Sequence, residues 1–229
     1  MKKSYVYSIE EIEFDDFLTH NKNTKDYAKI VLLIARKIIT TQAQDIDVNK
    51  EIKPFILIKK DKQSRAFVFA STNKYYSIAF PFNIKIGENG LLQVYSREKQ
   101  IELTNKLISE CFSIINSISS NGTFLDAWLD SRCEQTVADI VELLFHTEPC
   151  YLRYDYDENA SRGREIMHPK HHLDINMNKI GTYKIGLYKK ITRIQFINIV
   201  EDREECYFLS QFKHEKGTLS FKKTRGGKK

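Results

Sequence analysis

The chain predicts an α+β fold, a mainly antiparallel sheet with packed helices, built as a single compact unit or two tightly packed halves. Three observations carry that expectation. Between residues 55 and 80 lie short runs rich in aromatic and β-branched residues, separated by brief polar breaks, the pattern of an antiparallel meander. Residues 27–39 and 101–118 instead repeat their apolar side chains at helical spacing. From Tyr151 the period returns to two, on either side of Pro169.

Each element follows from its own residues. Ser8, with Glu11 three residues later, fits a capping box that opens a short acidic helix through about His20, and residues 21–24 read as a turn. Tyr27, Ile30, Val31, Ile34, Ile38 and Ile39 share one helical stripe that ends near Thr40. The polar residues 41–53 are a connection or the ragged end of that helix. Three strands are expected over Phe55–Ile58, Arg65–Ser71 and Lys74–Phe80, where Pro81 interrupts the pattern. Gly87–Gly90 makes a turn, and Leu91–Tyr95 adds one more strand.

From Ser96 the pattern is helical again, with Ile101, Leu107, Ile108, Cys111, Phe112, Ile115 and Ile118 on one stripe that ends at Ser119–Gly122. A further helical section runs from Thr123 to about His146, carrying Phe124, Trp128, Val137, Ile140, Val141 and Leu144 as core. Pro149 breaks the chain before a candidate hairpin, and Thr192–Cys206 reads as a closing helix.

Composition bounds the class. With 41% hydrophobic and 29% charged residues over 229 positions, the chain is globular and long enough to bury a core. Its four cysteines are widely spaced and form no CxxC pair, which suits a reduced, cytoplasmic protein. The N-terminus turns acidic before any apolar stretch, and Ile30–Ala35 is too short to span a bilayer, so neither a signal peptide nor a membrane partner is expected.

The net charge of +6 is localised. Beyond a globular domain of residues 1–212, the tail 213–229 holds seven basic residues against one acid, Glu215, and so carries the whole excess. Lys222, Lys223, Arg225, Lys228 and Lys229 are candidates for salt-sensitive contacts with a nucleic-acid backbone; a solvated basic terminus is the plainer alternative.

The most informative stretch is YLRYDYDENASRGREIMHPKHHLDINMN, residues 151–178, which gathers three of six histidines with three aspartates. As strands, it would place Arg153, Asp155 and Asp157 on one face, and His172, Asp174 and Asn176 on another polar face able to meet it, with His168 at the mouth. Two chemistries suit these residues. Asp155, Asp157, His168 and His172 are candidate ligands for a divalent metal ion that activates water against a phosphodiester. Without metal, His172 is a general base, His168 a general acid, and Arg153 or Lys170 a stabiliser of anionic oxygen, with Asp155 beside them. A third reading is structural: His172 bonding Asp155 across the strands and Arg153 pairing with Asp157. HPKHH is not a helical HExxH motif, because Pro169 and the flanking β-formers oppose a helix.

The pattern R-Y-D-Y-D, then H-P-x-x-H-L-x-I, then a run ending I-T-R-I-Q-F-I-N-I-V resembles a bacterial family known only as a domain of unknown function. It rests on Arg153, Asp155, His168, Pro169, His172, Leu173, Ile175 and Tyr183–Val200, and covers about the last third of the chain. His171 and the segment Lys184–Lys190 depart from the pattern. The resemblance implies a prokaryotic protein of phage-defence or toxin–antitoxin systems, with a protein partner encoded nearby and no established activity. Together with the charge it leads to a cytosolic nucleic-acid-associated protein; the alternative is a metal-assisted or histidine-based nuclease centred on Asp155, His168 and His172. Whether the chain is an enzyme stays open at this level.

Overall fold

A computed structural model describes residues 3–18, 23–51, 53–60, 64–88, 90–118, 133–157, 169–176 and 183–201. These residues form the expected α+β fold. Strands β1 (Lys3–Ser8), β2 (Phe55–Lys60), β3 (Arg65–Phe69), β4 (Lys74–Ala79), β7 (Leu152–Tyr156), β8 (His171–Ile175) and β9 (Tyr183–Leu187) join in that order, each antiparallel to its neighbour. Between β4 and β7 the chain inserts a separate hairpin, β5 (Phe82–Ile86) and β6 (Leu92–Ser96), then helices α3 (Asn105–Ser117) and α4 (Gln135–His146). Helices α1 (Phe14–Leu18) and α2 (Thr24–Thr40) follow β1, and α5 (Arg193–Val200) follows β9.

The central strands read as largely apolar runs because both of their faces are covered. Ile56, Ile58, Ala66, Val68, Tyr76 and Ile78 point into a core shared with the apolar stripes of α2, α3 and α4. Phe55, Leu57, Phe67, Phe69 and Tyr75 point the other way, where Phe196 and Ile197 of α5 meet them. Phe196 packs edge-on against Phe67 and Tyr75, at 6.3 and 5.1 Å between ring centroids. Arg193 fastens the start of α5: its guanidinium lies over Phe55 and donates to the carbonyls of Val48 and Glu51. At the other end of α5, Glu201 pairs with Lys59 at 2.9 Å.

Local signals set the helix starts. Asn23 accepts from Asp26 N–H at 2.9 Å to cap α2, and Thr104 accepts from Leu107 N–H at 3.2 Å to cap α3. Thr192 and Gln195 close a reciprocal capping box on α5.

Several boundaries differ from the sequence expectation. Ser8 is not a helix cap but the last residue of β1, whose Tyr7 is buried, and the first helical turn starts at Glu11 with Glu13 accepting from Glu10 N–H at 2.9 Å. Residues 41–47 leave the helix, and Gln44 N–H bonds Val6 O at 2.8 Å, so this segment is a connection along the β1 edge. Pro81 ends β4 without ending the sheet character, since β5 begins one residue later. The helix expected from Ser96 starts only at Asn105, because Leu103 N–H is held by Val94 O and Glu102 bridges Tyr95. Strand β9 had no sequence expectation. Trp128, Cys206, His168 and the tail 213–229 lie outside the described residues.

The side of the sheet beneath α5 depends on one aromatic plug. Phe196→Ala is expected to lower unfolding stability by about 3–5 kcal/mol, whereas Ile12→Ala, at a fully solvated site, should change it by less than about 0.5 kcal/mol. Urea denaturation of the two variants checks this.

Candidate metal centre

Antiparallel register places residues of β7, β8 and β9 in rows across the sheet. Arg153 faces Asp174, and Asp174 faces Lys184; one step along, Asp155 faces His172, and His172 faces Gly186. Directly paired residues share a face, so these side chains converge on one side. It is the helix side, since Arg153 is paired with Tyr76 of the α2–α4 core. The apolar surface on that side ends at Tyr76 and Tyr151, whose rings lie 5.8 Å apart, and beyond them the same face is charged.

Asp174 is the centre of the group and is 1% exposed. Arg153 donates to its Oδ2 and also meets Asp155 Oδ2 at 2.8 Å. Lys184 Nζ stands 3.1 Å from Asp174 Oδ1, an ion pair whose angle falls short of a hydrogen bond. Burial pushes the Asp174 carboxyl up, yet Lys184 and Arg153 outweigh it and hold the group below its ordinary value. Tyr151, at the apolar border, moves the other way: burial raises its phenol to about 12 although Arg153 opposes the shift.

His172, 4% exposed, is oriented from behind. Its Nδ1 lies 3.0 Å from Pro169 O, a contact that requires a proton on Nδ1 and leaves Nε2 as the acceptor. Nε2 takes a contact from Lys184 Nζ at 3.2 Å and lies 3.9 Å from Asp174 Oδ2. Pro169 can sit there because residue 186 is glycine: a Cβ on Gly186 would stand 2.9 Å from the proline Cγ.

One ligand atom each from Asp155, His172 and Asp174 falls within 4.8 Å of the others. An imidazole nitrogen and two carboxylate oxygens suit a first-row divalent ion, and a backbone carbonyl on the far imidazole nitrogen is the usual support of a metal-binding histidine. Metal–ligand bonds of about 2.0–2.2 Å require this set to draw together by roughly 1 Å. The two carboxylates already face the positive charges of Arg153 and Lys184.

The sequence-predicted residues divide. Arg153, Asp155 and His172 are brought together on one face as expected. Asp157 follows the end of β7, directs its N–H to Lys170 O at 2.8 Å, and lies outside the group formed by Asp155, His172 and Asp174. Arg153 pairs with Asp155 and Asp174 rather than Asp157, and His172 bonds Pro169 and Lys184 rather than Asp155. His168 and the tail lysines and arginine lie outside the described residues. Asp174 and Lys184 were missed as site residues. Alternation put Asp174 on the polar face of β8, but Lys184 had no signal without β9.

On the opposite face, Tyr154 OH and His171 Nδ1 share a hydrogen bond of 2.7 Å, and burial, Lys190 and Lys170 hold the imidazole below its ordinary value. Tyr75, Tyr76, Phe80 and Phe82 are core residues and offer no surface for stacking bases. His146 lies beside Glu142 on α4, while Cys150 takes a positive φ of 46°. No family model, curated protein or solved structure matches this chain.

Two outcomes follow from this geometry. Gly186→Ala should cost about 1–3 kcal/mol, because the added methyl must displace Pro169, and the His172 Nδ1 proton should exchange faster in NMR spectra. Asp174 has a folded-state pKa below its unfolded value of about 3.9, so the stability it adds is present above that pH and is lost as pH falls through the folded value. Denaturation curves between pH 7 and pH 2 should therefore show a shallower acid limb in Asp174→Asn than in the wild type.

Proposed function

We propose that this chain is a nucleic-acid-associated protein that binds a divalent cation at Asp155, His172 and Asp174 and hydrolyses a phosphodiester there. The observation that carries the reading is the convergence of an Nε2 lone pair and two carboxylates, with the imidazole anchored through Nδ1 to Pro169 O. An ion at this position would polarise a phosphoryl oxygen and acidify a bound water. Arg153 and Lys184, both partly exposed, would neutralise the phosphate that approaches it. The charge of +6 supports a polyanionic partner, through salt-sensitive contacts of the tail.

A second reading is favoured by the burial of His172 and Asp174 and by the position of Lys184. On this reading the group is a closed ion-pair network that holds β7, β8 and β9 in register, with no ion and no reaction.

The readings part on metal. If the first holds, Mn²⁺ or Zn²⁺ at about 100 times its dissociation constant raises stability by about 2.7 kcal/mol, and Asp155→Asn or His172→Ala removes that increment. The same variants should lose hydrolysis of single- or double-stranded DNA or RNA while retaining the wild-type circular dichroism spectrum. A wild type that neither binds these ions nor cleaves any of the four substrates would leave the structural network as the function of the cluster. Deleting residues 213–229 should weaken nucleic-acid binding and flatten its salt dependence, read by fluorescence anisotropy between 50 and 200 mM salt.

A further inference from the structure

We infer that Lys184 is a built-in competitor for the divalent ion: its ammonium occupies the cation position of the centre and must leave when the ion binds. The inference rests on the metal-binding reading above and names the residue that controls it. Lys184 Nζ lies 3.2 Å from His172 Nε2 and 3.1 Å from Asp174 Oδ1, so it meets two of the three proposed ligand residues at once. The contact with Nε2 cannot persist once an ion takes that nitrogen's one free lone pair, and the contact with Asp174 would set the ammonium beside the ion. An ammonium and a divalent ion cannot share the site, because like charges at such separations repel strongly in a buried setting.

The way out is also built in. Lys184 projects from β9, the last strand of the sheet among the described residues, and its side chain is 31% exposed while Asp174 is 1% exposed. A long, flexible side chain on an outer strand can turn its ammonium to water while its stem stays on the sheet. Arg153 has no such freedom: it bridges Asp155 and Asp174 from inside the sheet and is 15% exposed. The two cations thus divide the work. Arg153 compensates Asp174 permanently, and Lys184 does so only until an ion arrives. Such a device keeps His172 Nε2 hydrogen-bonded and the Asp174 charge compensated in the ion-free protein, and sets a threshold concentration for loading.

Lysine acetylation of the full-length wild type, read by mass spectrometry with and without Mn²⁺ or Zn²⁺, tests this, with exposed Lys189 as the internal reference. The expected result is that saturating ion increases modification of Lys184 and leaves Lys189 unchanged. In parallel, Lys184→Met, which keeps the apolar stem, should bind the ion roughly tenfold or more tightly than the wild type, and Lys184→Arg no more tightly. If the ion binds with no change at Lys184 and Lys184→Met has wild-type affinity, the inference is overturned while the metal reading stands. If neither the wild type nor Lys184→Met binds the ion, both fall. Should Lys184→Met fail to fold, the acetylation result on the wild type decides alone.

Discussion

The continuous antiparallel register, running from β1 to β9, is the constraint on which everything else here depends. Because side chains alternate faces with a period of two, the pairing of each strand with its neighbour assigns every residue to one side of the sheet. In β2, β3 and β4 both sides meet apolar partners, and the central positions are mostly aromatic or aliphatic. In β7 and β8 only one side does. Tyr154 and Leu173 continue the aromatic layer beneath α5, while Arg153, Asp155, His172 and Asp174 turn to the other side. A one-residue slip between β7 and β8 would send Asp174 into that aromatic layer, at a cost no hydrogen bond there could offset.

A carboxylate as buried as Asp174 is tolerable only with its charge compensated, and the compensation comes from both neighbouring strands. Arg153 reaches it from β7 and Lys184 from β9. His172, two residues away on β8, points to the same side and is held by the carbonyl of Pro169. The tight seat of the Pro169 ring over Gly186 therefore bears on imidazole orientation through the Pro169 carbonyl. Rigid positioning of this kind is shared by structural ion networks and by metal centres, which is why the behaviour towards a divalent ion separates the two.

Much of the fold was legible because its signals are local. The stripe from Tyr27 to Ile39 and the apolar density of Phe55–Ile58 report burial directly in the order of the residues. The capping residue Thr192 likewise marks a helix start without reference to the rest of the chain. The errors fall where two local signals compete. Ser8 and Glu11 satisfy a capping pattern, but the alternation of Lys3–Ser8 suits a strand, and the partner that chooses between them is β2, some fifty residues on. Ile101 fits the helical stripe of α3, yet its carbonyl is used by Ser96 in the return onto β6.

By itself the sequence determined the class of fold and set Arg153, Asp155 and His172 on faces able to meet, since helical stripes, period-two alternation and a hairpin suffice for both. Only the tertiary structure decided that Asp174 is the hub, that Asp157 stands apart, and that Lys184 completes the group. The physical reason is that burial and charge pairing are properties of three adjacent strands. Asp155 and Asp174 are equivalent as letters, and become different when one is buried between Arg153 and Lys184 while the other, paired with Arg153 alone, keeps part of its side chain in contact with water.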